Sequence, residues 1–497
     1  MDKFLLVLDQ GTTSSRATIY NNKGEKVSYV NREFKQHYPK PGWVEHDPKE
    51  IIEVTFDVAR LAIDKAGLTA NNISAIGITN QRETSVMWNK NTGEPLYNAI
   101  VWGCRRTTEI CKKLMDDGHG KLINEKTGLV IDPVYSGTKI RWILDNVDGV
   151  KELAEKGDVL FGTIDTWLLW NLTKGKVHAT DQSNGSRTML LNIHEGKWDD
   201  ELLKLLDIPK NILPEVRNSI DDYGYSDESI FGAKIPITGV AGDQQAALFG
   251  QACFEEGEAK CTYGTSNVPL VFLGNKVIPS EKGLITLAWG IEDKISYAMG
   301  ASIFTTGSAI KWLRDNLELV ESAAETETLA NSVEDTQGIY FVTAFQGLGA
   351  PHWDMYARGM LIGVTAGVTK AHIARATLES IAYQTRDLIE AIASESGTKV
   401  KVLKVDGGAV VNDYLMQFQA DILNVPVERP KDIETTSLGA AFMAGLGVGV
   451  WKSFDEVKAI CEIDKTFYPK MDEETREELY SGWKRAVEYS KGWLKKD

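Results

Sequence analysis

Short apolar runs alternate with amphipathic stretches along most of the chain. Near the N-terminus, Phe4–Leu8 and Ala17–Tyr20 are apolar runs of strand length, and a third strand is predicted near Lys26–Val30. A helical pattern follows near Pro48–Ala66, with Asp47 placed as its N-cap. "ISAIGITNQRET" predicts a buried strand running into a polar loop. Beyond the middle the pattern restarts. "AKCTYGTSNVPLVF" reads as strand, Gly-Thr turn, strand, and "VLKVDGGAVVNDYLMQFQADIL" as strand, glycine turn, helix. Ile235–Val240 is strand-like and opens through Gly242 onto Asp243 and an alanine-rich helix. The final "WKRAVEYSKGWLKKD" reads as a helix with a basic end. This alternation predicts an α/β protein. A Gly-Thr turn in each half predicts two related domains facing each other across a cleft, with a boundary near residue 246.

Composition removes several classes of function. The 497 residues, 43% hydrophobic and 25% charged, predict two or more domains with ample core. No apolar run is long enough to span a membrane and no cleavable signal pattern opens the chain, so a cytoplasmic protein is expected. A net charge of −15 argues against a broad nucleic-acid surface, although it leaves a small anionic ligand open. The 5 cysteines include no CxxC, and the 7 histidines no HExxH, which fits reduced thiols and no zinc site.

The candidate chemistry starts where the first apolar run stops, at Asp9 in "LLVLDQGTTSSRATIY". Gly11 permits a close approach, Thr12, Thr13 and Ser14 offer hydroxyls, and the backbone of such a turn can form an anion-binding nest. Asp9 is a candidate magnesium ligand, directly or through water, and Arg16 adds positive charge. The same stretch also reads as an ordinary hairpin turn, rich in good turn formers. Gly264-Thr265-Ser266 repeats the signature, and two such turns would clamp a nucleotide. No P-loop, GxGxxG or GxSxG motif competes with that reading. Asp243 is placed to accept a proton from a substrate hydroxyl during phosphoryl transfer, or simply to cap its helix. In "TNQRETS", Arg82 donates and Glu83 accepts, a pairing that suits a polyol and equally an exposed ion pair. Trp102 would pack a substrate's carbon chain. Gly407 and Gly408 would let a purine or ribose lie against backbone.

Taken together, "LDQGTTSSRA", "PGWVEHDP", "IGITNQRET", "YNAIVWGCRRT", "GLVIDP", "GDQQAALFGQ", "GLGAPHWD", "TLESIAYQTRD" and "VDGGAVVNDYLMQFQADIL" resemble the FGGY carbohydrate kinase family, and within it the members that act on glycerol. The signatures around "SGTKIRWILDN" and "GMLIGVTAGVTKAHIARATLE" are present too, so the likeness runs essentially end to end. The resemblance implies duplicated actin- and hexokinase-like (ribonuclease H-like) α/β domains, residues 1–246 and 247–497, flanking a catalytic cleft. It implies transfer of phosphate from ATP to glycerol, giving ADP and sn-glycerol 3-phosphate, with Mg2+ as cofactor and a homodimer or homotetramer as the assembly. It casts Asp243 as general base and metal-associated acid together with Asp9. Glycerol would meet Arg82, Glu83, Trp102, Tyr135, Asp243 and Gln244. ATP would meet Thr12, Thr13, Ser14, Arg16, Thr265, Gly307, Lys311, Gly408 and Asn412.

The chain departs from the family pattern in three places. Val134-Tyr135-Ser136 stands where Tyr-Phe-Ser is usual, and Val268 where an aromatic often borders the pocket; both predict a looser wall and tolerance of other polyols. "SDESIFGAKIP" lacks the glycine- and arginine-bearing loop associated with inhibition by fructose bisphosphate, so the likeness does not extend to that control or to control by sugar-transport phosphoproteins. Two rival readings remain: a kinase of the same family for xylulose or gluconate, and an actin-like or chaperone-like ATPase.

Overall fold

The computed structural model describes residues 3–494. It divides into two compact units that interleave along the chain. The first runs up to Ala252 and takes back Gly274–Ala298 and Thr435–Cys461; the second comprises Cys253–Leu273, Met299–Glu434 and the chain from Glu462 onward.

In the first unit, β1 (Phe4–Gln10), β2 (Ser14–Asn21) and β3 (Lys26–Glu33) form an antiparallel meander. Helix α1 (Pro48–Lys65) follows, and Asp47 does cap it, accepting from Lys49 N. Strand β4 (Ile73–Asn80) pairs parallel to β1, and β5 (Ile237–Gly242) parallel to β4, giving the order β5-β4-β1-β2-β3. β5 is shifted two residues toward the C-terminus from its sequence-based bounds, Ile235–Val240, and a register shift between Ile237 and Gly239 interrupts its pairing with β4.

Side chains alternate across a strand. Ile76 and Ile78 join a core with Ile51, Val58 and Ala62 of α1. Gly77, on the other face, lies against helix Thr435–Gly447, where a Cβ would come 2.3 Å from Ala440 O. The same helix fixes α2 (Asp243–Gly250): a Cβ on Gly439 would stand 1.8 Å from Ala246 O, so only glycine lets the two helix backbones touch.

In the second unit, β6 (Glu258–Tyr263) and β7 (Asn267–Gly274) form an antiparallel hairpin. Helix α3 (Gly307–Asp315) and the long α4 (Lys370–Ser396) follow. Strand β8 (Val402–Asp406) pairs parallel to β6, helix α5 (Asp413–Leu423) comes next, and β9 (Val427–Pro430) pairs parallel to β8. β10 (Ile463–Phe467) closes this run of strands, antiparallel to β9. Both units therefore contain a hairpin whose first strand is continued by two parallel strands. The last helix, α6, spans Glu473–Ser490; the basic end expected at Lys495 and Lys496 lies outside the described residues.

Candidate active site

The first turn links β1 to β2 and closes with Gly11 N–H donating to Ser14 O at 2.9 Å. Asp9 and Arg16 face each other across the hairpin in register, and their side chains pair at 3.4 Å. Asp9 is buried beside Ser437 Oγ, also at 3.4 Å. Ser14 is buried as well, Thr13 is exposed, and Thr12 lies between these extremes.

A set of amides in the first unit holds this turn. Gln81 follows β4; its Nε2 lies 3.0 Å from Gln10 Oε1 and 3.1 Å from Gly11 O. Thr84 Oγ1 donates to Gln81 Oε1 and accepts from Trp102 N. The Trp102 indole N–H then donates to Thr12 Oγ1 at 3.0 Å, with the side chain 41% exposed. Gln36 Nε2 donates to Thr12 O, while Gln36 Oε1 lies 2.7 Å from His46 Nε2. Burial, and then the charge of His37, push the His46 pKa down to about 4. A neutral ring with its proton on Nε2 donates to Gln36 and leaves Nδ1 facing Gln81 Nε2 at 3.4 Å. The candidate phosphate turn and the candidate substrate tryptophan thus share one hydrogen-bonded frame.

Asp243 is the first residue of α2. Gly242 takes the N-cap position, so the capping alternative does not describe Asp243. Its Oδ1 accepts from Gln244 N at 2.7 Å and lies 3.0 Å from Arg82 Nε, an ion pair without hydrogen-bond alignment. The Asp243 side chain is one-third exposed. Arg82 is steadied by Gln245, a residue that the sequence reading passed over: Arg82 Nη1 donates to Gln245 Oε1 at 3.3 Å, and Gln245 Nε2 donates to Leu287 O.

Glu83 is buried and holds φ of +64°, the left-handed region that non-glycine residues seldom occupy. Its carbonyl is held by Ser85 Oγ at 3.1 Å, Ser136 Oγ at 2.9 Å and Lys139 Nζ at 3.4 Å. Lys139 also donates to Val134 O, and burial lowers its pKa to about 8. The Glu83 carboxylate takes a second missed residue, Arg187, whose Nε donates to Oε1 at 2.8 Å. Arg187 also lies over the ring of Tyr135, 5.1 Å from its centroid. Tyr135 is buried, and burial raises its phenol pKa. Strain fixed by surrounding donors is a common feature of binding sites.

In the second unit, the turn Gly264–Ser266 closes with Gly264 N–H donating to Ser266 O at 2.9 Å. It is anchored to the start of α3: Gly307 N donates to Gly264 O, and both Thr306 N and Ser308 N donate to Thr265 O. A Cβ on Gly307 would meet Gly264 O at 2.6 Å, which accounts for glycine there. Lys311 lies one helical turn on and is exposed. Thr262 pairs with Asp406 across β6 and β8, so the Gly407-Gly408 turn starts beside the end of β6. Gly407 has φ of +91° and packs on Tyr263 O, whereas Gly408 has open space around it. Asn412 is buried as the N-cap of α5, with Oδ1 accepting from Leu415 N and Nδ2 donating to Thr326 Oγ1. Val268 is buried on β7, opposite Thr262. Among the described residues no helix is long and apolar enough to cross a membrane.

Models of the N-terminal and C-terminal domains of the FGGY family of carbohydrate kinases match residues 4–250 and 259–448. A glycerol kinase of Caldanaerobacter subterraneus subsp. tengcongensis is 60% identical over 494 residues, covering 99% of each chain. Glycerol kinase 2 of Thermotoga maritima is 60% identical over 495 residues, covering 99% of this chain and 100% of the relative. Among solved structures, the Plasmodium falciparum glycerol kinase with ADP superposes with a TM-score of 0.94 at 39% identity, covering 100% of this chain and 99% of that one.

Proposed function

The chain belongs to the FGGY family of carbohydrate kinases, and from that premise we propose how it phosphorylates glycerol with ATP. The observation that carries the reading is the pairing of Asp243 with Arg82 beside the strained Glu83, in a chain 60% identical to glycerol kinases over nearly its whole length. A polyol hydroxyl donates one hydrogen bond and accepts another. Glu83 supplies an acceptor, Arg82 a rigid set of donors, and Trp102 an apolar face for the carbon chain. Tyr135 and Gln244 complete the proposed acceptor site.

In the proposed step a terminal glycerol oxygen bonds to the γ-phosphorus while the bond from that phosphorus to the β–γ bridging oxygen breaks. ADP departs, and the hydroxyl proton passes to Asp243. Thr12, Thr13, Ser14, Arg16, Thr265, Gly307, Lys311, Gly408 and Asn412 are proposed as nucleotide contacts. Hydrogen bonds within the protein qualify two of these roles. Gly307 N–H donates to Gly264 O, and Asn412 accepts from Leu415 N at Oδ1 and donates from Nδ2 to Thr326 Oγ1, so both residues shape the site through backbone position more than through direct donation.

Magnesium, which neutralises charge on the transferring phosphoryl group when bound, is the proposed cofactor. Asp9 is a hard oxygen donor at the strand end, and Arg16 already compensates its charge. That favours contact with the ion through water. Asp243 is the second proposed metal-associated acid. We further propose a cytoplasmic enzyme assembled as a homodimer or homotetramer. Light scattering would measure the assembly.

A substrate panel tests the acceptor. ADP release with magnesium-ATP should be driven by glycerol at a kcat/KM well above that for xylulose or gluconate. A sugar or sugar acid outperforming glycerol would overturn the substrate while leaving the kinase.

A further inference from the structure

Arg187 has no role in the mechanism above, yet it touches two of the residues that the mechanism uses. Its Nε donates to Glu83 Oε1 at 2.8 Å and its guanidinium covers the Tyr135 ring at 5.1 Å. The side chain is only 16% exposed, and that of Glu83 only 6%.

The segment that delivers Arg187 is itself tied to both strands that end at the site. Asp181 caps the short turn Gln182–Gly185, accepting from Ser183 N and Asn184 N. Asn184 exchanges amide hydrogen bonds with Asn80, the last residue of β4, whose chain continues directly to Arg82 and Glu83. Ser183 Oγ accepts from Gly242 N, the residue before Asp243. Arg187 N then donates to Asn184 O. One turn therefore registers the Glu83 loop against the start of the Asp243 helix and places a guanidinium between Glu83 and Tyr135.

A buried carboxylate with two free oxygens can rotate and present either. With Oε1 engaged by Arg187, only Oε2 remains to accept from a substrate hydroxyl, in a fixed direction. We propose that Arg187 is the positioning residue for the acceptor site: it orients Glu83 and Tyr135 together and thereby sets affinity for the polyol without itself touching the transferred phosphoryl group. The proposal rests on the reading of Glu83 and Tyr135 as glycerol contacts.

The test is a comparison of wild type, Arg187→Ala and Arg187→Lys in the full-length enzyme. KM for glycerol and for magnesium-ATP is measured separately, together with the shift in Tm that each ligand produces. A charge-assisted hydrogen bond that orients a binding group predicts a rise of about 10- to 100-fold in glycerol KM for Arg187→Ala. KM for ATP should stay within about twofold, because that partner is untouched. Arg187→Lys keeps the charge but loses the planar cover on Tyr135, so it should recover part of the glycerol affinity. The Tm shift produced by glycerol should shrink in Arg187→Ala while the shift produced by ATP persists. If both KM values stay at wild-type levels in Arg187→Ala, or rise equally, Arg187 is a structural ion pair and the proposal fails while the glycerol reading stands. Should Arg187→Ala not fold, Arg187→Lys decides alone: an unchanged glycerol KM overturns the proposal and a selective rise supports it. If wild-type ADP release ignores glycerol, the underlying reading fails first, and the proposal falls with it.

Discussion

The two Gly-Thr turns share a topology and differ in what holds them. Each follows the first strand of a hairpin, and each closes on a glycine N–H, that of Gly11 in the first unit and of Gly264 in the second. The first turn is held mainly by side chains: Gln81, Gln36 and Trp102 all reach it, beside one backbone bond from Phe34 N to Thr13 O. The second is held mainly by backbone, through Thr306, Gly307 and Ser308 at the start of α3, with the Ser308 hydroxyl as a single side-chain donor to Thr265 O. Side-chain anchors make the first turn dependent on the residues that lead into Arg82 and Glu83, so the proposed phosphate cradle and the proposed acceptor site share one frame. Mainly backbone anchors make the second turn dependent on a glycine and a helix start, with Ser308 as its one side-chain donor.

The largest effect should come from the acid. Asp243→Asn keeps an acceptor for Gln244 N but loses the proton acceptor, so kcat should fall by about 10²- to 10⁴-fold with Tm nearly unchanged. Turnover near the wild-type level would take Asp243 out of the base role.

The second turn should be the more sensitive to backbone crowding. Gly307→Val drives a branched side chain into Gly264 O, already 2.6 Å from an ideal Cβ. Overpacking of this kind costs about 1–3 kcal/mol. The loss should appear as a raised KM for ATP with glycerol KM little changed, measured by initial rates. An equal rise in both would erase the distinction between the anchors.

The first turn should respond instead to an amide. Gln81→Ala removes the donor to Gln10 Oε1 and Gly11 O and the acceptor for Thr84. A net loss of about 1–3 kcal/mol in stability is expected for the buried groups left without partners. Denaturant unfolding would measure it, and an unchanged midpoint would show that the turn holds without its amide.

A further effect concerns pH. Asp165 is buried in the first unit, held by the hydroxyls of Thr163 and Thr180; burial, and then the charge of Asp181, raise its pKa to about 7. Its unfolded value is about 3.9. The folded state therefore binds more protons between those values, and this group's contribution to stability declines as pH rises from about 4 to about 7. Asp165→Asn imitates the protonated form, so its Tm should gain on wild type as pH rises from about 4 to about 7. A difference independent of pH would mean that Asp165 stays ionised when folded.

Local features were legible in the chain itself. Strand-turn-strand spacing located both turns, Asp47 before Pro48 marked the start of α1, and an acid after an apolar run put Asp243 at a helix mouth. Anchors were not legible, because they come from distant sequence. Nothing around Arg187 signals that its partner is Glu83, 104 positions away. Gln245 stands next to Gln244 in the same motif, and only the fold shows that it turns inward to Arg82. Asn412 carried a readable signal, an Asn just before an amphipathic helix, which is the preferred N-cap pattern. The return of Thr435–Gly447 to the first unit is a tertiary fact; its sequence hint is the small-residue run around Gly439 that permits contact with α2.

The most direct test of the central claim is the stoichiometry of one reaction. Enzyme with magnesium-ATP and glycerol would be followed for ADP and, by a stereospecific assay, for sn-glycerol 3-phosphate. The account predicts one sn-glycerol 3-phosphate for every ADP and almost no ADP without glycerol. ADP formed at the same rate without glycerol, with phosphate released to water, would contradict it.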